Sequence, residues 1–228
     1  MMRDATQQNA LIAQGIQFNV LARAFPVLRH DALKPISNAK LAAAMMQRAA
    51  DEAVEHTDAR TQQLLGDIDA MLDEGVATVR ELADWLCDSG KKIGLTELVR
   101  ECVKLLFADL LLSGKRVTVS EDIGIKDVPL YAGRYVVLCW LLHMVEQAPD
   151  GSELRIGLGQ DDQLHAALHL SSGSTVIRAS DNVGAPVTTI DACHALANYY
   201  GWSLKSGQGS WTLALPAAVQ AGGVSKAA

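Results

Sequence analysis

The segment Leu28-Arg29-His30-Asp31-Ala32-Leu33-Lys34-Pro35-Ile36 places three residues with chemical consequences within two helical turns. The neutral imidazole of His30 can act as a nucleophile near pH 7. Asp31 can accept a hydrogen bond from one ring nitrogen, which fixes the tautomer and leaves a lone pair on the other. Pro35 has no N–H, so the carbonyl of Asp31 loses its helical donor and the helix should bend just past the histidine. A histidine that takes a phosphoryl group from another protein must be exposed, because in-line displacement requires access to a ring nitrogen. The competing reading is a surface histidine beside an ordinary aspartate.

The elements around this segment decide between the two. Phe18, Leu21, Phe25, Leu28, Ala32, Pro35, Ala39, Ala42 and Met46 recur in steps of three and four, the seam of a helix packed along its length. In that frame Leu28 and Ala32 face the seam and His30 faces solvent. Arg23 and Ser37 lie one heptad from it on the same ridge, Lys34 is one turn along, and Asn38 is adjacent. Arg23, Lys34, Ser37 and Asn38 are therefore candidate contacts for a protein partner. A polar break over 51–60 follows, with Thr57 or Asp58 as an N-cap. A second run then carries Leu65, Ile68, Leu72, Val76, Val79, Leu82 and Leu86. Two such helices make an antiparallel hairpin. One hairpin cannot bury two seams, so two copies should pair as a four-helix bundle.

The hairpin domain is expected over residues 7–88. Asp88-Ser89-Gly90-Lys91-Lys92-Ile93-Gly94 reads as a hydrophilic linker. A second domain over 95–216 alternates helices (96–113, 131–147, 190–200) with strands (116–121, 153–159, 164–170, 202–205, 210–215). Helices beside mostly antiparallel strands predict a two-layer α/β sandwich, so the fold class is α+β. The tail, 217–228, is small and polar and is expected to be disordered.

Bulk properties exclude several classes. In 228 residues the net charge is −6 and no long Lys/Arg cluster occurs, which argues against nucleic acid as the partner. Four scattered cysteines form no C-x-x-C pair and read as reduced thiols. The polar N-terminus is unlike a signal peptide. The apolar stretch Tyr135–Val145 is shorter than the ~20 residues that span a bilayer. A cytoplasmic protein with no membrane partner is expected. His165 and His169 share a strand face but sit ~13 Å apart, so a metal site there is not expected. His143, Trp140, Trp202 and Trp211 read as core residues.

His30-Asp31-x-x-x-Pro35 resembles the phosphoacceptor box of bacterial sensor histidine kinases, in which histidine is followed by an acid and, five positions on, by proline. Three further segments are similar to parts of the same family. Leu95–Leu106 resembles the helix that opens its ATPase-like domain, and Arg134–Gly151 the helix bearing its N-box. Ala192–Ser206 with Gly209–Pro216 resembles its closing helix and strands. The resemblance implies a dimerisation hairpin followed by a kinase-like α/β domain, with His30 as phosphoacceptor, Asp31 as orienting carboxylate and Pro35 as the bend.

The departures from that family matter as much. Cys139 and His143 stand where its N-box has asparagines that hold Mg²⁺, and that hard cation prefers oxygen ligands. After the strand at 164–170 comes Ser171-Ser172-Gly173-Ser174, with no adenine-binding aspartate. Asp181-Asn182-Val183-Gly184-Ala185 is only a misspaced imitation. An irregular stretch from Gly173 to Thr188 replaces the glycine-rich lid. The chain then resembles the dimeric histidine phosphotransferases of phosphorelays, which exchange phosphate with response-regulator receiver domains. That implies no cofactor of its own, no ATP, and Mg²⁺ supplied in the receiver. The alternatives are a non-catalytic dimeric scaffold or kinase inhibitor, and an ATP-dependent histidine kinase with divergent boxes.

Overall fold

A computed structural model describes residues 2–51, 57–121, 123–124, 126–159, 163–170, 188–207 and 209–216. Two long helices open the chain, α1 (Met2–Asp51) and α2 (Thr57–Leu86). The expected tail (217–228) and the segments Ser171–Ser174 and Asp181–Ala185 lie outside the described residues.

The chain forms two compact units. One is the hairpin, Phe25–Cys87; the other combines residues 1–24 with 88–228. The N-terminal half of α1 therefore belongs with the α/β unit, whereas the sequence pattern assigns it to a hairpin over 7–88.

In the hairpin, Ala32, Pro35, Ala39 and Ala42 are buried and Leu28 and Met46 half-buried, as their spacing predicts. Gly75 is a buried position of α2 beside Pro35 and Ile36. A methyl group there would lie 3.3 Å from Ile36 Cγ1 and 3.6 Å from Pro35 Cγ, so a glycine permits the close approach. Most of the predicted α2 seam faces solvent instead. Leu65, Leu72, Val76, Val79 and Leu86 are exposed at near-heptad spacing, with Ile36 and Phe25 exposed on α1. Each helix thus carries a buried stripe and, beside it, an uncovered apolar one.

In the other unit, the buried stripe of α1 is Ala13, Gln17, Val20 and Ala24. It lies one residue out of step with the predicted seam, and Phe18 is 71% exposed. Small side chains and one amide face inward here, where a heptad of large residues was expected. By length and composition alone, α1 is apolar enough over Thr6–Arg48 to cross a membrane.

The expected linker ends in a strand, β1 (Lys92–Gly94), paired antiparallel with β3 (Asp127–Pro129). Its turn is held by Asp88 Oδ1, which accepts the Gly90 N–H at 2.9 Å, with Gly90 at φ +69°. The helix predicted over 96–113 is two, α3 (Leu95–Leu105) and α4 (Phe107–Leu112). The chain breaks at Leu106 (φ −95°, ψ 3°), and past it only Leu110 of α4 is buried.

A five-stranded sheet adds β2 (Arg116–Val119), β4 (Glu153–Leu158), β5 (Leu164–His169), β6 (Ser203–Gly207) and β7 (Ser210–Ala214). Its order is β2-β4-β5-β7-β6, parallel only between β2 and β4. Leu154, Ile156, Leu164, Ala166, Trp211, Leu213 and Leu204 line its buried face. Helix α5 (Leu130–Gln147) is buried except at Tyr131, Glu146 and Gln147, which explains why it is apolar all round. It packs between α3 and α6 (Ile190–Tyr199), giving the two-layer α+β arrangement expected from the alternation of elements. Trp140, Trp202 and Trp211 are core residues.

Candidate functional site

Helix α1 runs unbroken through His30 and Pro35. The His30 side chain is 74% exposed and that of Asp31 60%. His30 Nδ1 lies 3.2 Å from Asp31 Oδ1. An ionised carboxylate only accepts, so Nδ1 carries the proton and donates it to Asp31. In the neutral ring the second nitrogen, Nε2, then carries the lone pair, and the ring is exposed. Rotamers settle what sequence alone leaves open, namely that adjacent helical residues reach each other. Pro35 is buried against the Gly75 side of α2, and its missing N–H leaves the Asp31 carbonyl without its usual helical partner.

Lys34, Ser37 and Asn38 are exposed on the hairpin. Arg23 belongs to the other unit and is differently employed. Its guanidinium bridges Asp109 (3.2 Å) and Glu146 (3.3 Å), and its side chain is only 19% exposed. The ridge spacing that brought it into the candidate set gives no sign of this, because both partners lie more than eighty positions away in sequence.

The positions that the resemblance assigns to metal-holding asparagines are sealed. Cys139 Sγ is buried 3.4 Å from Cys193 Sγ, and that hydrogen-bonding contact together with burial pushes the Cys139 thiol far up. His143 is buried with Nδ1 2.9 Å from the Thr188 carbonyl, the satisfied core histidine its apolar helix suggests. A cavity of about 550 Å³ opens beside it, lined by His143, Gln147, Leu168, Thr188, Ile190 and Trp211 among others. No carboxylate lines it among the described residues. His165 Nε2 pairs with Ser210 Oγ at 3.0 Å, the paired-histidine reading. Among the described residues no group of three or more His, Cys, Asp or Glu is arranged to hold a metal.

No family model and no curated protein matches the chain. Solved structures that overlap it include histidine kinases. The cytoplasmic segment of the histidine kinase QseC is 16% identical over 54% of this chain and 76% of its own, with a TM-score of 0.38. The histidine kinase AdeS of Acinetobacter baumannii is 12% identical over 81% of this chain and 95% of its own, TM-score 0.38. A histidine kinase from Burkholderia phymatum is 13% identical over 79% and 95%, TM-score 0.37. Overlaps of this depth carry no functional argument.

Proposed function

We propose that the chain is a histidine phosphotransferase that shuttles phosphoryl groups between receiver-domain aspartates through a phosphohistidine on His30. The observation that carries this reading is the exposed imidazole with Nδ1 committed to Asp31. Nε2 attacks the phosphorus of an aspartyl phosphate, the N–P bond forms as the O–P bond breaks, and the aspartate leaves as a carboxylate. The ring becomes cationic, and Asp31 stabilises the proton retained on Nδ1. The reverse transfer delivers the phosphoryl group to a second receiver. Mg²⁺ belongs to the receiver, because Cys139 and His143 offer no oxygen and are engaged within the core. Lys34, Ser37 and Asn38 contact the receiver beside His30.

The exposed stripe of Leu65, Leu72, Val76, Val79 and Leu86 is assigned to a second copy of the chain, forming a four-helix bundle. Heptad spacing suits a helix partner better than lipid, and a cytoplasmic location goes with that assignment. The cavity beside His143 supports the rival reading of a nucleotide-binding kinase.

The test uses a receiver domain phosphorylated by a small acyl phosphate. Acid-labile, alkali-stable phosphate should appear on the wild-type chain and be lost in His30→Gln. Equal labelling of the variant would move the acceptor elsewhere, and a scaffold would take no label at all.

A further inference from the structure

Two of the four cysteines meet in the core of the α/β unit, although 54 positions separate them in sequence. Cys139 lies on α5 and Cys193 on α6, with their Sγ atoms 3.4 Å apart. The Cys193 thiol donates to the Cys139 carbonyl at 3.4 Å, which leaves the Cys139 S–H to donate to Cys193 Sγ. Both thiols are free, and the two residues are only 1% and 3% exposed. Cys102 is buried too, but its thiol lies against the Arg134 carbonyl, and Cys87 is exposed.

A single buried thiol packs like any small apolar side chain. Two thiols in mutual contact have a further reaction open to them, the formation of a disulfide. Its sulfurs sit about 2.05 Å apart, so from 3.4 Å they need to approach by about 1.4 Å. Access restrains the reaction. Only the thiolate is nucleophilic, and the contact with Cys193 together with burial keeps Cys139 protonated while the two helices are closed. Helix α6 is the more weakly anchored of the pair. Of its 10 residues Cys193, Leu196 and Ala197 are buried, whereas α5 buries all but a few of its 18. Local opening of α6 therefore costs less than unfolding the whole unit, and it uncovers both sulfurs together.

We propose that Cys139 and Cys193 form a latent disulfide, closed by a hydroperoxide when α6 opens, that staples α6 to α5. In the opened state one thiolate attacks a peroxide oxygen, the O–O bond breaks, and a sulfenic acid forms with release of hydroxide. As α6 recloses, the second thiolate attacks the sulfenic sulfur. The S–S bond forms, the S–O bond breaks, and a second hydroxide leaves. The two thiols are oxidised by two electrons, and their protons convert both hydroxides to water. A hydroperoxide suits the site because it leaves a single oxygen on the sulfur, whereas a mixed disulfide with a bulky thiol would hold the helices apart. His143, one turn on from Cys139, and Ile190, which starts α6, both line the cavity of about 550 Å³. The staple thus fixes two walls of that cavity to each other.

The test uses the full chain carrying Cys87→Ser, which removes the exposed thiol. The protein is reduced, freed of reductant and treated with hydrogen peroxide under native conditions. The product should be lighter by two hydrogens, and digestion without reductant should yield one peptide pair joined through Cys139 and Cys193. Its Tm should rise by about 5 °C or more and fall back with dithiothreitol, because the link closes a long loop. Amide exchange across residues 190–199 should slow by about tenfold. Thiols that stay reduced under native conditions and react only in denaturant would return the pair to ordinary packing and overturn the proposal. A sulfinic acid on either cysteine, a link through Cys102, or a linked product of lower Tm would overturn it equally. Should Cys87→Ser fail to fold, the same mapping on the wild-type chain decides, with peptides containing Cys87 scored separately. None of these readouts depends on phosphate transfer.

Discussion

In the proposed transfer the imidazole of His30 needs one nitrogen protonated and the other free, and Asp31 would do the first by accepting from Nδ1. Asp31→Asn retains a side chain of the same shape but can present an amide donor, which no longer selects that tautomer or stabilises the cationic ring. Transfer into His30 should slow by roughly 10- to 100-fold, read as single-turnover rate with a phosphorylated receiver. A second carboxylate makes a residue-scale prediction about acid. Glu153 accepts from Arg155 at 2.9 Å and from Thr118 at 2.7 Å, and these bonds lower its pKa to about 2. A folded value below the unfolded one means that its contribution is present at neutral pH and lost as pH falls from the ordinary carboxylate range toward 2. Glu153→Gln should therefore lower Tm slightly at pH 7, and the difference should vanish near pH 2. Because the pair lies at the solvent edge, about 1 M salt should shrink the effect as well.

At the scale of elements, Pro35 sets a cost against a function. A proline inside a helix is about 3 kcal/mol worse than alanine, yet α1 continues through it. Pro35→Ala returns a donor to the Asp31 carbonyl and loses some packing at Gly75. A net gain of about 1–2 kcal/mol in hairpin stability is expected by chemical denaturation, together with slower transfer. The alternation of elements was legible in sequence because burial there follows local periodicity, and α5 because it is apolar all round. So was the outward-facing His30, since the seam fixes the opposite ridge. What escaped depends on distant partners. The β1–β3 pair and the Arg23 ion pairs are set by residues that no window contains. The stripe in the N-terminal half of α1 is harder to read, because Ala13, Gln17 and Ala24 carry little hydrophobic signal, while the louder Phe18 points to solvent.

For the whole molecule, the uncovered apolar stripes demand an occupant. If a second copy covers them, Leu72→Glu with Val79→Glu should halve the mass seen by light scattering while leaving the α/β unit folded by near-UV circular dichroism. An unchanged mass would reassign that face. The source of the phosphoryl group is the central question, because it separates a relay protein from a kinase. The direct measurement incubates the purified chain in parallel with labelled Mg²⁺-ATP and with a labelled phosphoreceiver, followed by mapping of acid-labile phosphate. Label on His30 from the receiver and none from ATP is the predicted result. Label on His30 from ATP alone would contradict it.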